Sequence, residues 1–168
     1  MEIIDLYDAR KNKLNKKIDR ETGDIKEGEY KQSVHVWIIN DNKQFLIEKR
    51  SHSMKINPDK WAFVGGVVEQ GENSLDGAIR ETKEELGIEI NPIDFELIIS
   101  FKRKVDFVDV WIAFKNCNIE KLKLQKVEVQ DAKWVNIDEL EELIKNNEFV
   151  PAINLYYDFF KEMLKTFY

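Results

Sequence analysis

One stretch, GGVVEQGENSLDGAIRETKEELGI from Gly65 to Ile88, does most to limit what this chain can fold into. Within it Leu75, Ala78, Ile79, Thr82 and Leu86 recur at i, i+3, i+4, i+7 and i+11, the spacing of one apolar stripe on a helix. Asn73 or Ser74 is placed to cap its start, and Gly87 to end it in a left-handed conformation. Gly77 inside the helix costs about 1 kcal/mol relative to alanine. A helix with a single apolar stripe has to lie on another layer. The pair Gly65 and Gly66 ahead of it permits close backbone approach.

The flanking segments supply that layer. VHVWII, residues 34 to 39, is rich in β-branched and aromatic side chains and predicts a strand, with a turn at NDNK and a hairpin partner from Phe45 to Glu48. Residues 51 to 60 predict a loop, and Trp61 to Val64 a short apolar segment. Phe95 to Phe101, Val108 to Phe114 and Lys133 to Val135 predict further strands. Asp138 with Glu141 suggests a capping box ahead of a helix carrying Leu140, Leu143 and Ile144. Beyond Pro151 a second stripe of Tyr156, Phe159, Phe160, Met163, Leu164 and Phe167 predicts a terminal helix, whose apolar face packs in the core or meets a second copy in a homodimer. The order implies an α/β fold, a mixed sheet with helices on both faces. The chain is expected to be one domain over residues 1–168. Residues 1–30 form a small N-terminal appendage: an edge strand near residues 1 to 8, then polar chain turning at Gly23 and Gly28 and anchored by Ile18, Ile25 and Tyr30.

Charge narrows the function. With 26 basic and 32 acidic side chains the net charge is -6, which argues against general nucleic-acid binding and favours metal cations. Cys117 stands alone, so no internal disulfide supports the fold. The start MEIIDLYDAR lacks the apolar run of a signal peptide, and no stretch is long enough to span a membrane. A cytoplasmic location is the expectation.

The helix carries acid where function is expected. Glu81, Glu84 and Glu85 project from a common side, and three like charges so close repel one another unless a cation cancels them. Carboxylates in that number suit a hard ion such as Mg²⁺ or Mn²⁺; a solvated acidic face is the bland alternative. Arg80 is placed to pair with Glu72 and hold the preceding turn against the helix.

Taken together, Gly66, Glu72, Arg80, Glu81, Glu84, Glu85, Gly87 and Ile88 resemble the Nudix box, with Thr82 where a larger aliphatic residue is commoner. Val34 to Arg50, Trp61 to Gly66 and EVQDAKWV (Glu128 to Val135) resemble neighbouring parts of that family. The resemblance implies an α/β/α sandwich and Mg²⁺-dependent cleavage of a diphosphate linked to another group, in a nucleoside diphosphate derivative or related compound. It implies Glu81, Glu84 and Glu85 as metal ligands, with the Gly65 carbonyl and Glu69 as further candidates, and Glu72 and Arg80 as orienting residues. Glu84, Glu85 and Glu128 are the candidates for the general base. Lys49 and Arg50 either offer positive charge to the phosphates or face solvent.

The N-terminal region also resembles the isopentenyl-diphosphate-isomerase-like subgroup, yet WAFVGGVV has neither the cysteine nor the histidines that isomerisation needs. His35 is expected as a hydrogen-bonded or pocket-lining residue, and His52 as a loop residue. A domain that binds nucleotide or protein without catalysis is the other class of reading. Trp37, Trp61, Phe63, Phe101, Phe107 and Trp111 are core residues or surfaces on which a base could stack.

Overall fold

The computed structural model describes residues 2–167, apart from the Phe167 side chain. Its strands are β1 (Ile3–Tyr7), β2 (Lys13–Asp19), β3 (Lys31–Ile39), β4 (Phe45–Arg50), β5 (Trp61–Ala62), β6 (Val64–Val67), β7 (Phe95–Lys102), β8 (Asp106–Phe114) and β9 (Val129–Val135). The helices are α1 (Ser74–Leu86), α2 (Ile137–Lys145) and α3 (Tyr157–Phe167).

Strands β3 to β9 form one seven-stranded sheet in the order β5-β4-β3-β8-β7, with β6 also paired to β3 and β9 to β4. β3 and β8 run parallel, Lys31 opposite Asp106 through Ile39 opposite Phe114, and the other pairs are antiparallel. The sheet is therefore mixed, as the sequence predicts. Alternation along β3 sorts its side chains between two cores. Val34, Val36 and Ile38 join Leu46, Val64, Ala78 and Leu86 under α1. Trp37 and Ile39 join Phe45, Phe63, Val110, Leu140, Tyr156 and Phe160 under α2 and α3. Trp37 is fully buried, its ring centroid 3.8 Å from Phe63 and 3.5 Å from Phe160. The result is an α/β/α sandwich.

Four expectations need correction. The cap of α2 is Asn136, whose side chain accepts from Glu139 N–H while Glu139 returns a bond to the Asn136 amide; Asp138 and Glu141 lie inside the helix. Phe159 is exposed, because α3 starts only at Tyr157 and its inner stripe runs through Tyr157, Phe160, Met163 and Leu164. The Phe167 side chain of that expected stripe lies outside the described residues. The appendage holds a second strand, β2, paired antiparallel with β1. Its deepest anchors are Ile4 and Leu6, both buried, while Ile18, Ile25 and Tyr30 are only half-buried.

The β1–β2 hairpin grips the region ahead of α1. Gln70 N–H donates to the Ile3 carbonyl at 2.8 Å, and Gly71 N–H to Asp5 Oδ2 at 2.9 Å. At the hairpin turn, Lys11 Nζ reaches the buried Asp109 at 2.7 Å and Ser100 Oγ at 3.0 Å. No helix among the described residues is long and apolar enough to cross a membrane.

Candidate active site

Helix α1 is fixed at both ends. Asn73 Oδ1 accepts from the amides of Leu75 and Asp76, and Asp76 reciprocates to the Asn73 amide. Gly87 closes the last turn at φ 69°, a left-handed conformation that favours glycine. A helix so held has little freedom to shift the carboxylates of its last two turns.

Arg80 is the node of the exposed half of the site. Its Nε and Nη2 donate to the two oxygens of Glu72 at 2.9 and 3.1 Å, and Nη2 also to the Val67 carbonyl at 2.9 Å. Glu72 in turn accepts from the Glu69 amide at 2.9 Å. Arg80 Nη1 lies 3.0 Å from Glu84 Oε2, 3.0 Å from Glu81 Oε1 and 4.0 Å from Glu69 Oε1. The sequence-derived pairing of Arg80 with Glu72 is present, and it ties β6, the turn and α1 together.

The other half is buried acid. Glu48, Glu81 and Glu85 are only 2%, 6% and 2% exposed. Burial raises the Glu48 carboxyl to about 8 and the Glu81 carboxyl to about 7, the latter against the opposing pull of Arg80. Burial first, and then the neighbouring Glu48, hold Glu85 well above the usual carboxylate range. The Glu48 and Glu85 carboxyls act directly on each other, and Gly65 N–H donates to Glu85 Oε2 at 3.3 Å. Glu128, half-buried just before β9, adds its charge to both.

Gly65 and Gly66 line a cleft of about 260 Å³ whose other walls carry Lys31, Arg50, His35, Arg103 and Asp106. Arg50 is thus in the cleft, with Nε bonded to the Ile56 carbonyl at 3.1 Å. Lys49 is not: alternation in β4 puts Glu48 and Arg50 on one face and turns Lys49 to the other, where it lies 5.8 Å from the Trp61 ring centroid. His35 faces the cleft and is also structural. The Trp37 indole can only donate, so Tyr156 Oη accepts from it at 3.2 Å and has its single proton left for His35 Nδ1 at 3.0 Å. Burial depresses the imidazole to about 4, so the ring is neutral with its proton on Nε2. His52 is an exposed loop residue bound to Asp59.

Sequence reasoning missed Glu48, Lys31, Arg103 and Asp106. The signal for Glu48 was present, a glutamate prolonging the apolar run Phe45-Leu46-Ile47 in a strand buried on both faces. The others are brought together by the β3–β8 register, which no local pattern displays.

The residues fit a hard divalent cation, although as placed they do not cage one. Among the described residues no three His, Cys, Asp or Glu side chains converge into a ready metal site. The carboxylates on the exposed side are turned toward Arg80. Yet Glu48 Oε2 is buried without a hydrogen-bond partner, an arrangement that costs free energy, and the buried Glu81 Oε1 has the Arg80 Nη1 cation at 3.0 Å but no aligned hydrogen bond. A Cβ on Gly66 would fall 1.8 Å from Glu81 Oε1, so the glycine leaves the space that this carboxylate fills.

A carboxyl whose folded pKa lies above its unfolded value contributes stability that is complete below pH 4.5 and lost as pH rises through 7 to 8. In EDTA the protein is expected to lose thermal stability from about pH 6.5 to 8.5, a window in which His35 is neutral folded and largely neutral unfolded. Glu48→Gln should flatten that slope. Melting curves across the window check it, and an identical slope in the variant would remove Glu48 as its source.

Comparison with known proteins gives the lineage. The NUDIX domain model matches residues 29–154. An uncharacterised Nudix hydrolase of Listeria monocytogenes is 38% identical over 125 residues, covering 74% of each chain. An isopentenyl-diphosphate Delta-isomerase of Shigella flexneri is 31% identical over 107 residues, 60% of this chain and 59% of that one. The crystal structure of DR0079 from Deinococcus radiodurans superposes with a TM-score of 0.74 over 89% of this chain and 92% of its own, at 23% identity, a likeness of fold. With the family model matched across residues 29–154 and a Nudix relative 38% identical over 74% of each chain, this protein belongs to the Nudix hydrolase family.

Proposed function

We propose that the chain hydrolyses a diphosphate linkage in a nucleoside diphosphate derivative or related small molecule, with Mg²⁺ as cofactor and Mn²⁺ as a substitute. The observation that carries this reading is the burial of Glu48, Glu81 and Glu85 behind Gly65 and Gly66, at the edge of a cleft that also presents Lys31, Arg50 and Arg103. Acid for a cation and base for phosphate stand in one place.

Glu81 and Glu85, joined by Glu48, are the residues to hold the ion, with Glu84, Glu69 and the Gly65 carbonyl as further donors. Bound there, the ion supplies neutralisation of phosphoryl charge and acidification of water. Arg50 takes a phosphoryl oxygen and orients the diphosphate. Glu128, half-exposed and close enough to act on Glu48 and Glu85, accepts the proton of the attacking water. The water oxygen bonds to phosphorus as the bridging P–O bond breaks, and the leaving phosphate departs with its charge met by the basic wall. Glu72 and Arg80 keep the turn in register and touch no substrate. Glu85, buried and bonded to Gly65 N–H, is poorly placed as the base; Glu84, ion-paired with Arg80, is the remaining rival to Glu128.

The isomerase reading gains nothing from the site. Cys117 follows β8, with its carbonyl bonded to Trp134 Nε1 at 3.3 Å, and does not line the cleft.

A Mg²⁺-supplemented screen of diphosphate compounds, read by phosphate or nucleotide release, tests the proposal. In it Glu128→Gln is expected to lower kcat about 10²- to 10⁴-fold, the range of a lost general base, and Glu84→Gln much less. Rates that survive both substitutions would end the assignment of proton transfer to these side chains.

A further inference from the structure

We propose that Lys31 and Arg103 form a second anion subsite, which takes a phosphoryl group of the substrate lying outside the set held by the carboxylates and their ion. The inference rests on the hydrolase reading above and extends it to two cleft residues that lie outside the box sequence.

The β3–β8 register sets Lys31 directly beside Asp106, and both line the 260 Å³ cleft together with Arg103 and Ser33. Asp106 is buried, and its oxygens are already in use. Oδ1 accepts from Arg103 Nε at 2.7 Å, and Oδ2 accepts from Arg103 Nη2 and from Ser33 Oγ at 2.9 Å. Lys31 donates no side-chain hydrogen bond and has no carboxylate within ion-pair distance among the described residues; its attraction to Asp106 acts at longer range. Arg103 spends Nε and Nη2 on Asp106 and keeps Nη1 unused. One carboxylate thus faces two cations, and the half-buried Lys31 is disfavoured as a cation by burial and by the charges of Arg20 and Arg103. Arg103 lines the same cleft as His35 and Lys31.

An anion between Lys31 Nζ and Arg103 Nη1 would cancel the excess. A point charge beside the edge of a planar donor suits a dianionic tetrahedral phosphate, with oxygens for both, better than a single carboxylate.

The test uses the full chain in EDTA, titrated with inorganic phosphate at low salt and followed by calorimetry and amide shifts. The wild type is expected to bind phosphate, with Lys31→Met at least tenfold weaker and Lys31→Arg close to wild type. Lys102→Met removes the same charge from an exposed residue that lies over the Tyr30 ring, and should leave binding unchanged. Absence of binding to the wild type, or equal weakening by Lys31→Met and Lys102→Met, would overturn the subsite. The two proposals fail separately. Phosphate binding that depends on Lys31 in a chain that cleaves no diphosphate would sink the hydrolase and keep the subsite. Turnover with a KM indifferent to Lys31→Met would do the reverse.

Discussion

Gly66→Ala is expected to give a folded protein whose diphosphate hydrolysis has fallen about 100-fold or more, the scale of an ångström-level misplacement of a reacting group. The added Cβ falls 1.8 Å from Glu81 Oε1 and 2.1 Å from its Cδ, and its three nearest neighbours all belong to that one side chain. A carboxylate at the end of a flexible side chain can swing aside, so the fold survives and the ligand position does not. Gly65→Ala should behave in the opposite sense. Its Cβ would sit 2.7 Å from the Val34 carbonyl oxygen, which belongs to the central strand and cannot move away. That substitution is expected to cost about 1–3 kcal/mol of stability, as overpacking does. Neither glycine has a positive φ, so the contrast is steric alone. Thermal melts and initial rates on the two variants suffice, and equal losses of stability would refute the distinction.

Arg80→Met is expected to have the largest effect on stability. Arg80 is 18% exposed and answers Glu72 twice, Glu84, Glu81 and the Val67 carbonyl. Its removal leaves several carboxylates facing one another with no cation among them. The cost is about 3 kcal/mol, as for breaking a buried ion pair from one side, and lowers Tm by roughly 6–12 °C at this chain length. Arg80→Lys should fall between, since a point charge replaces a fork that held two oxygens of one carboxylate. Mg²⁺ should recover part of the loss in Arg80→Met by neutralising the same carboxylates. A variant melting within about 2 °C of wild type would show that the network is decorative.

What was legible in the sequence is what depends on neighbours along the chain. The α1 stripe, its Asn73 cap, the Gly87 terminus and the strands flanking the loops are periodic or capped features, and each is present. Strand β2 escaped notice because KLNKKID turns Leu14, Lys16 and Ile18 inward only halfway, and Lys16 is held there by Glu29 at 2.7 Å rather than by apolar packing. Glu48 escaped because a charged residue after an apolar run looks like the strand's solvent end, whereas β4 is covered on both faces at that point. Lys31 and Arg103 belong to segments 72 positions apart, and only the parallel pairing of β3 with β8 makes them neighbours.

That same pairing governs when the molecule can assemble. The sheet's middle is a contact between strands 75 positions apart, the kind of long-range closure that slows folding because chain entropy is lost before the contact rewards it. On a ribosome, β3 would leave the exit tunnel with one flank open until β8 followed, exposing the apolar edge of VHVWII in the interval. The half-finished polypeptide, more than the finished protein, is where a chaperone has something to hold.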